Sequence, residues 1–199
     1  DSVYVEGMKD AKLEGMGTTV VAVLASTRTL AVAHVGDSRV YAFGPQSGLR
    51  CVTRDHSLLN YKIDQGEIST EEEIRAFRQG NIIVRAIGLK DYVYPEVQTI
   101  DRCPGEVLLL CSDGLTDLIS DELIEAVLHE FTDDLDAAAS RLIEMANGEG
   151  GKDNITVMLL RVDDDPQSLE DDNTYPDVVA VSEEVTDPAG VEAIQEVTD

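Results

Sequence analysis

Basic residues are scarce in this chain: 15 Lys and Arg stand against 40 Asp and Glu, for a formal charge of −25 at pH 7. The deficit is complete at the end, where residues 163–199 carry thirteen Asp and Glu and no Lys or Arg, leaving −12 on residues 1–162. A nucleic-acid backbone is bound by clustered Lys and Arg, so this balance argues against nucleic acid as a partner and suits divalent cations. Cysteine is also sparse. Cys51, Cys103 and Cys111 show no C-x-x-C spacing and read as reduced thiols of a cytoplasmic protein. The apolar runs, such as Val20–Ala25, are far shorter than the roughly 20 residues that span a bilayer, and nothing resembles a signal peptide. A membrane is therefore not an expected partner. The chain opens on Asp1 in a charged segment that enters the pattern abruptly, which suggests a start further upstream.

An apolar content of 43% is ordinary for a globular core, and the expectation is one domain over residues 1–162. Residues 163–199, acidic and poor in large apolar side chains, are expected to be a disordered tail. Between 18 and 53, "TTVVAVLA", "TLAVAHV", "RVYAF" and "LRCVT" read as an antiparallel meander of four strands, with "GPQSG" as a hairpin loop. Residues 57–80 turn helical, with Ser69 as N-cap, Glu72 as its capping-box partner and Gly80 as the stop. Strand patterns return at 82–87, 93–100 and 106–111. Two amphipathic helices follow: 121–130, with Leu123, Ile124, Val127 and Leu128 on one face, and 134–146, with Leu135, Ala138, Ala139, Leu142 and Ile143. "NITVMLLRV" closes the domain as a strand. Strands, then helices, then a strand indicate an α+β layered domain with packed sheets and helices outside.

Three aspartates stand at the ends of these strands beside turn-forming residues: Asp37 in "HVGDSRVY", Asp113 in "CSDGL" and Asp153 in "GGKDNITV". Each alone is an ordinary turn residue. Together they offer short, hard-oxygen ligands on rigid supports, a set that suits Mg²⁺ or Mn²⁺ better than Zn²⁺. Gly114 would leave room for backbone or water to approach an ion. None of the cysteines is followed by a Gly-rich, Arg-terminated loop, so thiolate catalysis is not indicated. His34 and His56 read as structural rather than as general acids.

"GMGTTVVAVL", "AHVGDSRVYAF", "TRDHSLLN", "VRAIG", "LLLCSDGLTD" and "GGKDNITVMLL" resemble, in order and spacing, the later two-thirds of bacterial members of the protein phosphatase 2C family. That resemblance implies a four-layer αββα sandwich of two mainly antiparallel sheets with helices on both outer faces. It implies metal-dependent hydrolysis of phosphoserine and phosphothreonine in phosphoproteins by a metal-bridged hydroxide, with a Ser/Thr kinase supplying the substrates. It also implies two Mn²⁺ or Mg²⁺ ions, with a third in bacterial members. Asp113 and Asp153 would ligate the second ion, and Asp113 with Asp37 the third. Asn154 would orient Asp153, residues 55–90 would form the flap beside the site, and Ser38 and Arg39 would be structural. The D-G-x-G-G type motif that supplies the family's bridging carboxylate has no match in residues 1–17. A piece of a longer enzyme is the first expectation. A catalytically inactive binding module, or a docking scaffold for the acidic tail, is the alternative.

Overall fold

A computed structural model describes residues 2–163, so all but the first residue of the expected disordered tail lies outside the described residues. The elements in chain order are α1 (Ser2–Gly7), a 3₁₀ turn (Ala11–Leu13), β1 (Val20–Ala25), β2 (Thr29–Val35), β3 (Arg39–Gly44) and β4 (Gly48–Cys51). They continue with α2 (Leu58–Asp64), α3 (Glu71–Ala76), β5 (Glu96–Asp101), β6 (Val107–Cys111), α4 (Asp113–Thr116), α5 (Asp121–Glu130), α6 (Leu135–Gly148) and β7 (Val157–Arg161).

The described strands form two antiparallel sheets, one ordered β1-β2-β5 and the other β4-β3-β6-β7. Two such sheets with helices are the α+β architecture expected. The meander is corrected: β2 and β3 do not pair, because the chain leaves one sheet at Val35 and enters the other at Arg39. Gly36 makes that crossing. Its φ is +103° and a Cβ there would lie 2.4 Å from Thr19 Cγ2, so a side chain would be strained on both counts.

Alternation along the strands sorts the cores. Leu30 on β2, Ala42 on β3 and Leu108 on β6 turn inward and meet between the sheets, with Val23 and Ile100 against them. On the outer face of the second sheet, Tyr41, Phe43, Leu109 and Cys111 pack on Ile124, Val127 and Leu128 of α5 and on Ala138 and Leu142 of α6. Burying side chains of this size stabilises by about 1.5–3 kcal/mol each before ordering costs are subtracted. Leu123, expected on the buried stripe of α5, is 46% exposed. It lies one position off the stripe that Ile124, Val127 and Leu128 hold at helical spacing.

Two other local readings are corrected. The N-cap of α3 is Thr70, whose hydroxyl accepts from Glu73 N–H while the Glu73 carboxylate accepts from Thr70 N–H, one residue later than the expected Ser69–Glu72 box. Residues 82–87 make isolated bridges, Ser57 with Ile83 and Thr18 with Ile87, rather than a strand.

Candidate metal centre

Register brings the carboxylates together. Arg39 pairs with Cys111 at one end of the antiparallel β3–β6 ladder. Asp37 therefore precedes β3 and Asp113 follows β6 at the same end of the sheet. Cys111 also pairs with Val157, so the loop before β7, with Asp153, reaches that end too.

Asp37 and Asp113 line one small cavity of about 40 Å³, together with Arg39, Asp55, Asn81 and Asp117. Asp55 and Asp117 were missed by reasoning from sequence. Asp117 could have been found from its spacing, since it falls one helical turn after Asp113 and its N–H bonds the Asp113 carbonyl at 2.8 Å. Asn81 Nδ2 donates to Asp117 Oδ2 at 3.0 Å. Asp55 gave no local signal, because residues 54–56 reach β2 and β3 only through tertiary contacts.

Burial, reinforced by the charges of Asp113, Asp55 and Asp117, pushes the Asp37 carboxyl up from 3.8 to about 6. Crowded carboxylates with hard oxygens, in a space large enough for waters or a small ion, fit a divalent cation. The Arg39 guanidinium does not neutralise the cluster as a whole, because it is bidentate on one member. Nε donates to Asp55 Oδ1 at 2.8 Å and Nη2 to Asp55 Oδ2 at 2.6 Å. Its Nη1 donates to Tyr41 Oη at 3.0 Å, and the Tyr41 hydroxyl donates to Asp121 Oδ1 at 2.9 Å. The expected structural role of Arg39 thus includes tying the cavity wall to the first turn of α5.

Asp153 is not among the residues lining this cavity. Its loop is nevertheless clasped to the start of α4: Ser112 Oγ donates to the Asn154 carbonyl at 3.0 Å, and Thr156 N–H donates to Ser112 Oγ at 3.0 Å. Asn154 acts through its backbone, whose N–H donates to Asp153 Oδ1 at 2.6 Å. A Cβ on Gly114 would lie 2.6 Å from the Asn154 carbonyl oxygen, so the glycine admits this backbone.

A different trio, His34, His56 and Glu96, brings ligand-capable atoms within 4.8 Å of one another. Its chemistry is unfavourable for a cation. His56 Nδ1 accepts the Gly36 N–H at 3.0 Å, so the proton of the neutral ring sits on Nε2, towards Glu96 Oε2 at 3.3 Å. The two imidazoles are stacked with planes 13° apart, so their in-plane lone pairs do not converge, and Arg85 Nη1 stands 3.1 Å from His56 Nε2. His56 is held well below its ordinary 6.5, at about 4, by burial first and then by Arg85 and His34. Its contact with Glu96 is therefore a neutral hydrogen bond rather than an ion pair. Cysteine chemistry finds no support either: burial pushes the Cys111 thiol up to about 12 and raises Cys51 as well.

The protein phosphatase 2C profile matches residues 5–157. The chain is 38% identical over 161 residues to the serine/threonine phosphatase stp of Listeria monocytogenes, covering 81% of this chain and 62% of that protein. The crystal structure of the Mycobacterium tuberculosis serine/threonine phosphatase PstP/Ppp superposes with a TM-score of 0.73 at 35% identity, covering 81% of this chain and 67% of that one. The catalytic domain of PstP in complex with 2 manganese ions gives a TM-score of 0.69 at 34% identity, covering 82% of this chain and 66% of that one. The chain thus spans a little over three-fifths of the length of its Listeria relative. With 153 residues matched, two packed antiparallel sheets and acidic residues gathered at one end of them, the chain belongs to the protein phosphatase 2C family.

Proposed function

We propose that the protein hydrolyses phosphoserine and phosphothreonine in phosphoproteins, with Mn²⁺ or Mg²⁺ as its cofactor. The observation that carries this reading is the meeting of Asp37 and Asp113 in one cavity with Asp55 and Asp117, where burial and like charge push the Asp37 carboxyl up to about 6. Asp37 and Asp113 would hold a cation from the ends of paired strands, and Asp153 would add a ligand from the loop clasped to Ser112. Bound divalent ions supply Lewis acidity towards water and the phosphoryl oxygens. The chain's own part is positional: β3 and β6 set the spacing of the carboxylates, Arg39 holds Asp55, and Gly114 lets the Asn154 backbone close against α4.

Residues 1–162 are proposed as one unit of this fold, acting in the cytoplasm on substrates of a Ser/Thr kinase. Free thiols at Cys51, Cys103 and Cys111 are in keeping with a reducing compartment. Among the described residues no helix is long and apolar enough to cross a membrane.

The test is phosphate release from pSer and pThr peptides by the intact protein. Mn²⁺ should activate it, EDTA should abolish it, and Asp113→Asn should lower it by about a hundredfold or more. Full activity in EDTA would sink the metal reading. A second reading, a non-catalytic phosphoprotein-binding module, is favoured by Asp153 standing outside the lining of the Asp37 and Asp113 cavity. Phosphopeptide binding without phosphate release would select it.

A further inference from the structure

The turn that carries Asp37 is held from a distance by three consecutive residues, Arg54, Asp55 and His56. His34 Nε2 bonds the Arg54 carbonyl at 2.8 Å, and Arg39 grips Asp55 through two bonds on the far side of the turn. Between these anchors lies a reciprocal pair. Gly36 N–H donates to His56 Nδ1 at 3.0 Å, and His56 N–H donates back to the Gly36 carbonyl at 2.9 Å. Both residues are buried, so water does not readily replace either bond.

The imidazole is itself constrained. An amide donating to Nδ1 requires the other tautomer, with the proton on Nε2, and Glu96 Oε2 lies 3.3 Å from that atom. His34 stacks on the ring with centroids 4.5 Å apart. A histidine filling core space alone would not need its Nδ1 aimed at the amide next to a cavity-lining carboxylate. On the other side of Asp37, Ser38 Oγ shares a 2.8 Å hydrogen bond with Thr19 Oγ1, so the aspartate sits between two fixed neighbours.

We infer that His56, through its Nδ1 bond to the Gly36 amide, is the positioning residue that sets where the Asp37 carboxylate stands against Asp113. The inference rests on the reading of Asp37 as a cation ligand. His56 does not line the Asp37 and Asp113 cavity; it acts through the backbone of the turn.

The experiment titrates Mn²⁺ alone into the full chain by calorimetry and follows hydrogen exchange of the Gly36 amide by NMR. The variants are His56→Asn, whose amide oxygen reaches the place of Nδ1, His56→Gln, whose amide lies one bond further out, and His56→Ala, with Asp37→Asn as the ligand control. His56→Gln and His56→Ala should lose protection at Gly36 and weaken Mn²⁺ binding about tenfold, while His56→Asn keeps both within about threefold of wild type. If His56→Ala fails to fold, the contrast between His56→Asn and His56→Gln still decides. Wild-type affinity in folded His56→Gln, or equal behaviour of the Asn and Gln variants, overturns the inference. No Mn²⁺ heat from the wild-type chain removes the cation reading and this inference with it. Mn²⁺ heat with an unprotected Gly36 amide removes the inference alone.

Discussion

At the scale of single residues, charge and burial act together on Asp37 and on His56, shifting the carboxyl up and the imidazole down. Burial discourages the charged form of both, raising the carboxyl of Asp37 and lowering the imidazole of His56. For Asp37, the added charges of Asp113, Asp55 and Asp117 make a bound cation the natural compensation. For His56, Arg85 and His34 reinforce the preference for a neutral ring that can accept the Gly36 amide. The consequence for stability has a definite sign. With the folded value at about 4 and the ordinary value at 6.5, the folded chain binds fewer protons than the unfolded chain across that window. The contribution of His56 is therefore fully present above about pH 6.5 and is lost as the pH falls towards 4. Urea midpoints measured from pH 7.5 down to 4.5 should decline less steeply for His56→Asn than for wild type. Identical slopes would show that His56 is not buried as a neutral ring.

At the scale of elements, the centre depends on where strands stop. β6 is apolar from Val107 to Cys111 and ends where Ser112 and Asp113 start the single turn of α4, so Asp113 leaves the sheet directly into the cavity. Gly114 is the element's weak point. Its φ is compatible with any residue, but a Cβ would meet the Asn154 carbonyl at 2.6 Å, and backbone cannot move aside as a side-chain tip can. Gly114→Ala should destabilise by about 1–3 kcal/mol and push residues 153–156 away from α4. Chemical denaturation and exchange of the Thr156 amide, now bonded to Ser112 Oγ, measure both effects. An unchanged midpoint with full Thr156 protection would mean that the loop has slack that the packing does not suggest. The cap of α3 teaches a related lesson. Ser69 and Thr70 are adjacent capping residues followed by Glu71, Glu72 and Glu73, so the sequence offers two capping boxes one residue apart. The backbone's path into the helix chose Thr70.

At the scale of the whole molecule, the two sheets are covered unequally by the described residues. Helices α5 and α6 close the outer face of the second sheet, where Tyr41, Phe43 and Leu109 are fully buried. On the first sheet, Val20, Leu24 and Val97 point outward and are 39%, 39% and 42% exposed. Met158 and Leu160 of β7 share the inner face of the second sheet with Leu108 and Leu110, yet are 54% and 43% exposed. Exposed apolar residues on a terminal strand of a sheet favour pairing between copies. The 199-residue chain on its own should therefore self-associate with rising concentration, and Met158→Lys with Leu160→Lys should shift it towards monomer without loss of secondary structure. Sedimentation velocity checks this; an unaltered monomer fraction would show that the β7 edge is not the adhesive surface. In the core, Leu142→Ala should cost about 2–5 kcal/mol, because Leu142 is wholly buried in the cluster between α6 and the sheet.

Local chemistry alone was enough to locate seven strands within a few residues, the helices α5 and α6, and three aspartates at strand ends, because alternation and helical spacing are written into neighbouring side chains. It did not reveal that β2 and β3 lie in different sheets, since Gly36–Ser38 reads equally well as a hairpin turn or a crossing. Nor did it reveal that Asp55 and Asp117 join Asp37 and Asp113, or that His56 bonds the Gly36 amide. Those contacts link residues far apart in the chain, and no local preference encodes them. They follow from strand register and sheet packing, which are settled only when the apolar faces of β2, β3, β6 and the helices are buried together.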